Sequence, residues 1–203
     1  MSRDVEYPAE VDLPITDTLA TLPASNAARF PNRPVYAVRS DGGWRDVSAA
    51  QFNDQVRAAA RGLVARGIEP GRPVAILSPT RYEWTVLDFA LWSVGAFAVP
   101  IYDSSSVEQI EWILRDSRCV AVITDSEASA ARVRDAMAEH PPLWVMDDDL
   151  LTTLAVDGEG VTDDVLGYRQ LTCYDGRGAM HYPFKPGWLD PSRQLNIISQ
   201  WDV

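Results

Sequence analysis

From Ser48 onward the chain alternates helix-type and strand-type segments with only a few residues between them, and that alternation restricts its fold more than any other feature. Ser48 with Gln51 three residues later forms a capping box, which satisfies orphan amide donors at a helix start. Phe52, Val56, Ala59 and Leu63 then make one apolar stripe, with Asp54, Arg57 and Arg61 on the other face and Gly67 as the stop. The turn Glu69-Pro70-Gly71-Arg72 feeds Pro73-Val74-Ala75-Ile76-Leu77-Ser78, a continuous apolar run suited to a strand covered on both faces. Thr80 and Glu83 predict a second capping box, opening a helix from Trp84 to Val94 that has almost no polar face. Ala96 to Ile101 is the next strand, with Pro100 near its end, where a missing donor matters least. Ser105 and Glu108 predict a third box, followed by a helix carrying Val107, Ile110, Ile113 and Leu114. Val120 to Thr124 is a third strand, residues 126–139 an alanine-rich helix, and Leu143 to Met146 a fourth strand. Successive βαβ units of this kind predict an α/β fold with a parallel sheet.

Upstream, Ile15 to Phe30 predicts one helix broken or bent near Pro23, and Val35–Arg39 with Trp44–Val47 predicts a hairpin. Charge divides the remainder. Residues 1–165 hold fourteen arginines against twenty-six carboxylates, whereas residues 166–203 hold four cations against three. Six of the nineteen aromatic residues also fall in that last segment, as does Lys185, the only lysine. These shifts divide the chain into an α/β unit over 1–147, an acidic linker over 148–165 and a divergent aromatic-rich tail over 166–203.

A formal net charge of −11 offers no clustered cations for a phosphate backbone and excludes nucleic acid as a partner. No run of about eighteen apolar residues predicts a transmembrane segment, and the start Met1-Ser2-Arg3-Asp4-Val5-Glu6 has no apolar signal core. The expectation is a cytoplasmic chain, with peripheral attachment to a membrane left open. Cys119 and Cys173 form no disulfide framework and read as buried thiols.

Several of these segments also resemble a known family. Trp44-Arg45-Asp46-Val47-Ser48, Gly71 to Ser78, Arg81-Tyr82-Glu83-Trp84, Gly95-Ala96, Val99-Pro100-Ile101-Tyr102 and Ser105 to Leu114 resemble the N-terminal region of AMP-forming acyl-CoA synthetases. Within that superfamily the pattern is most similar to the bacterial long-chain fatty acid CoA ligases, in unbroken order over residues 13–147. The resemblance implies the start of the acyl-adenylate-forming N-terminal domain, incomplete in this chain. It also implies activation of a fatty acid by ATP to an acyl adenylate, followed by transfer to coenzyme A with magnesium neutralising phosphate charge. The family's phosphate loop, which ends in Pro-Lys-Gly, has no counterpart here. Phe184-Lys185-Pro186-Gly187 holds similar residues in scrambled order without the small hydroxyl and glycine residues of a phosphate cradle.

No residue is therefore assigned as catalytic, cofactor-binding or metal-binding. The candidates for more than scaffold are Arg81, Tyr82, Glu83 and Trp84, which follow a strand's carboxyl end, where open α/β sheets bind ligands. Tyr102-Asp103-Ser104-Ser105-Ser106 follows another such end, and helix capping accounts for its hydroxyls. Asp147-Asp148-Asp149 lacks the glycine and distal glutamate of a calcium loop and reads as a solvated run. His140 and His181 have no Ser or Cys partner forming a catalytic set. Two functional expectations follow: a fatty acid CoA ligase segment inactive on its own, or a non-catalytic module that binds acyl chains or nucleotides or pairs through uncovered apolar surface.

Overall fold

The computed structural model describes residues 19–40 and 42–166, together with the backbone of 173–174 and 180–181. A 3-10 turn, Leu19–Thr21, leads into α1 (Leu22–Arg29), then the antiparallel hairpin β1 (Pro34–Ser40) and β2 (Gly43–Ser48), then α2 (Ala49–Ala65). There follow β3 (Pro73–Leu77), α3 (Tyr82–Ser93), β4 (Phe97–Ile101), α4 (Val107–Ser117), β5 (Ala121–Thr124), α5 (Glu127–Ala136), β6 (Leu143–Val145) and α6 (Leu150–Asp157). A last short pair, β7 (Cys173–Tyr174) and β8 (Met180–His181), is antiparallel.

Strands β3 to β6 form one parallel sheet in the order β4-β3-β5-β6. The two central strands are buried along their whole length, which is why Val74–Leu77 and Ala121–Thr124 read as continuous apolar runs. Their side chains alternate between faces. Val74, Ile76, Ala121 and Ile123 join α2, α3, α6 and the hairpin on one side, and Ala75, Leu77 and Val122 join α4 and α5 on the other. The expected α/β class, with its parallel sheet, is what the chain adopts. Pro100 lies in β4, at the sheet's edge, where a lost amide donor is tolerated.

The first capping box forms as expected: the Gln51 amide donates to Ser48 Oγ (3.2 Å) and the Ser48 amide to Gln51 Oε1 (2.9 Å). Gly67 adopts φ +83°, the left-handed conformation that ends a helix most cheaply in glycine. The other two boxes differ. Thr80 does not cap α3, because extended Arg81 holds the N-cap position and offers no capping side chain. At α4 the box is shifted by one residue to Ser106 and Gln109, with bonds of 2.8 and 3.3 Å. The break expected near Pro23 falls just before α1, which carries the proline in its first turn, where its missing N–H costs nothing.

The largest correction concerns the stretch expected to be an acidic linker, 148–165. It contains α6, with Leu150 and Leu154 buried in the core beside α2. Two glycines permit this approach. A Cβ on Gly62 would lie 2.2 Å from the Leu154 carbonyl oxygen, and one on Gly158 would lie 2.6 Å from the Gly62 nitrogen. The surrounding acids are met by arginines of α2 and its C-terminal cap: Arg57 and Arg61 pair with Asp163, and Arg66 pairs with Asp157 at 2.7 Å. Arg66 also bonds Thr153 Oγ1 and lies over the Trp144 ring, 5.0 Å from its centroid.

Candidate functional site

The chain turns from β3 to one neighbour, β4, and then crosses to the other, β5, so the switch point of the sheet lies between the carboxyl ends of β3 and β5. Three loops are tied together beside it. The Asp125 amide donates to the Leu77 carbonyl (3.2 Å), and the Asp147 amide donates to the Asp125 carbonyl (3.0 Å). Arg81 joins their side chains: Nε donates to Glu83 Oε2 and Nη1 to Asp147 Oδ1, both at 2.8 Å. Ser78 Oγ turns back to the Pro79 carbonyl at 2.7 Å.

These contacts set the electrostatics. The hydrogen bonds that Arg81 donates to Glu83 and Asp147, with the charges of those two carboxylates, raise the Arg81 pKa and keep the guanidinium charged, outweighing partial burial. Burial pushes the Glu83 carboxyl up, but the Arg81 hydrogen bond and the residue's own amide hold it below its ordinary value. The Tyr82 hydroxyl donates to Gln55 Oε1 at 2.6 Å, and burial pushes that phenol up to about 12. Asp125 Oδ1 is a buried oxygen without a hydrogen-bond partner. The arrangement is therefore an arginine engaged by two carboxylates, with the Asp125 backbone tied to the loops that follow β3 and β6. Both carboxylates take up donors of the Arg81 guanidinium, so it is not a free cation for a phosphate.

The remaining candidates are spread apart. Trp84 is half-buried against the core. Tyr102 is exposed, while Arg132 of α5 grips its loop through the carbonyls of Asp103 (2.8 Å) and Ser105. Asp147 belongs to Arg81, whereas Asp149 begins α6 in a left-handed conformation and accepts from Thr152 Oγ1 at 2.9 Å. Among the described residues no three His, Cys, Asp or Glu side chains are grouped to hold a metal ion. His140 Nδ1 lies 2.7 Å from the Pro141 carbonyl. The Cys119 thiol is buried, which pushes it up to about 11 and leaves it unreactive. The side chains of Cys173 and His181, and all of Lys185, lie outside the described residues.

Sequence reasoning picked out Arg81 and Glu83 but missed their link to Asp147 and the orphaned oxygen of Asp125. Both depend on the sheet order β3-β5-β6. It also placed Arg57 and Arg61 on the face of α2 opposite the apolar stripe and gave them no partner. The available signal was a row of arginines matching an acidic run about a hundred residues later.

Fold and loops together define the first α/β unit of an open, doubly wound sheet with its ligand-type edge at the strand carboxyl ends. The family described as AMP-binding enzyme matches residues 24–193, and the chain belongs to it. It is 38% identical over 141 residues to the long-chain fatty acid CoA ligase FadD15 of Mycobacterium tuberculosis, covering 70% of this chain and 24% of that protein. The chain thus spans about a quarter of the length of that relative. Among solved structures, a Mycobacterium tuberculosis fatty acyl CoA synthetase superposes with a TM-score of 0.60 at 27% identity, over 70% of this chain and 30% of that one. The crystal structure of VinN superposes with a TM-score of 0.63 at 19% identity, over 74% of this chain and 38% of that one, and shares the fold. No helix among the described residues is long and apolar enough to cross a membrane.

Proposed function

We propose that this chain supplies scaffold for a long-chain fatty acid CoA ligase and does not catalyse that reaction by itself. In the complete reaction a fatty acid carboxylate attacks the α-phosphate of ATP, pyrophosphate leaves, and the thiol of coenzyme A displaces AMP. Magnesium and positioned cations stabilise the charge that develops on phosphate. The observation that carries the family part of this reading is the 38% identity to FadD15 over 141 residues. The absence of a phosphate cradle among the described residues, with Lys185 as the only lysine in the chain, supports the inactivity. Incubation with a long-chain fatty acid, magnesium ATP and coenzyme A is expected to release no AMP above background. Turnover at ordinary enzyme rates, about 1 to 1,000 per second, would contradict the reading.

A second reading, a non-catalytic module that holds an apolar group or pairs through apolar surface, is favoured by two observations. Leu22, Pro23, Val35, Tyr36, Phe52 and Phe89 line a small open cleft of about 80 Å³. Trp44, Tyr102 and Trp112 are exposed, at 71%, 68% and 50%. Sizing chromatography with and without fatty acid separates the readings: concentration-dependent or ligand-dependent association supports the module, and a monomer that retains no fatty acid removes it.

A further inference from the structure

The segment after β6 is held to α2 in two physically different ways. Its first part, α6, is fixed by shape: Leu150 and Leu154 are buried, and Gly62 and Gly158 let the two backbones meet. Its second part, residues 159–166, is held mainly by charge. Asp163 accepts from both Arg57 and Arg61, which stand one helical turn apart on α2, and its carboxyl is held below its ordinary value first by the Arg61 bond and then by the Arg57 bond. These side chains are 26–45% exposed, so salt reaches them.

Backbone bonds make the same division. The amides of Val161, Val165 and Leu166 donate to the carbonyls of Gly158, Thr162 and Asp163, all within the local chain. The amides of Thr153 and Gly158, by contrast, donate to the carbonyls of Asp149 and Leu154, as α6 requires. Leu166 adds a half-buried apolar contact with the core. An element with few buried contacts and self-contained turns opens at lower free energy than the helix preceding it.

We propose that residues 159–166 form an ionic latch, closed by Asp163 on Arg57 and Arg61, that opens and closes on its own while α6 stays docked. The latch holds residues 163–166 against α2. Shape-based docking keeps α6 in place whatever the salt concentration, whereas the latch follows ionic strength, because the Debye length falls from about 10 Å at about 0.1 M salt to about 3 Å at about 1 M.

Amide exchange of the 203-residue chain, resolved by NMR at those two salt concentrations, tests this. The expected result is exchange several-fold faster at Val161, Val165 and Leu166 in high salt, with Thr153 and Gly158 unchanged. Asp163→Asn is expected to bring the latch amides to the fast rate at both salt concentrations. Exchange in 159–166 that ignores salt, acceleration of the α6 amides together with those of the latch, or a salt response that survives in Asp163→Asn would each overturn the proposal. The wild-type salt series decides the matter even if the variant fails to fold.

Discussion

The two faces of the parallel sheet are built on different plans. The face under α4 and α5 is covered by the crossovers between β4, β5 and β6, and its buried core is aliphatic apart from Cys119. The opposite face collects elements spread over much more of the chain: the hairpin, α2, α3 and α6. There, aromatic rings meet tilted or edge to face: Tyr36 with Phe52 (4.8 Å), Phe52 with Phe89 (5.5 Å) and Phe89 with Trp92 (5.0 Å). The first plan is local and readable from hydrophobic period. The second depends on pairing segments about a hundred residues apart, and it holds α6, the largest feature that sequence reasoning misplaced.

The strongest test of that contrast is Gly62→Val. Because backbone meets backbone at this point, the added side chain is expected to cost about 3 kcal/mol in denaturant unfolding and to undock α6. Ile110→Ala, on the other face, is expected to cost a similar amount, about 3 kcal/mol, while leaving amide protection in α6 intact. If both variants release α6, the two faces are not separate.

A smaller effect concerns Asp88, buried in α3, whose carboxyl is pushed up to about 7 by burial. An unfolded Asp titrates near about 4, so the folded chain keeps a proton that the unfolded chain has lost between about pH 4 and 7. Stability therefore falls as pH rises through that window, and the penalty is complete above it. Asp88→Asn is expected to gain about 1–2 kcal/mol at pH about 8 and to flatten that slope in pH-dependent unfolding. An unchanged slope would show that the carboxylate is solvated in the folded chain. The smallest effect is expected at Arg118, a non-glycine residue with φ +53° at the end of α4. Arg118→Gly should gain about 0.5 kcal/mol in thermal unfolding, since glycine adopts this conformation without strain.

How much of this was legible in the sequence follows from locality. Val74–Leu77 announced a central strand because burial on both faces leaves no polar position. Ser48 and Gln51 were read correctly as a cap, whereas Thr80 and Ser105 fit the same pattern and lost the position to Arg81 and Ser106. Residue spacing permits several N-caps, and only the backbone's turn into the helix selects one. The helix α6 was hidden because Asp147 to Asp149 and Asp157 to Asp164 surround its apolar residues, and the arginines that neutralise two of those acids lie far back on α2. At the strand carboxyl ends Arg81 and Glu83 were recognisable as neighbours, but Asp125 and Asp147 joined them only through the order of the sheet.

As proposed, this unit supplies scaffold, and its arginine at the switch point is already engaged by Glu83 and Asp147. Calorimetric titration of the chain with magnesium ATP tests it most directly. The prediction is no saturable heat, and a one-to-one isotherm with a micromolar Kd, worth about −8 kcal/mol, would contradict it.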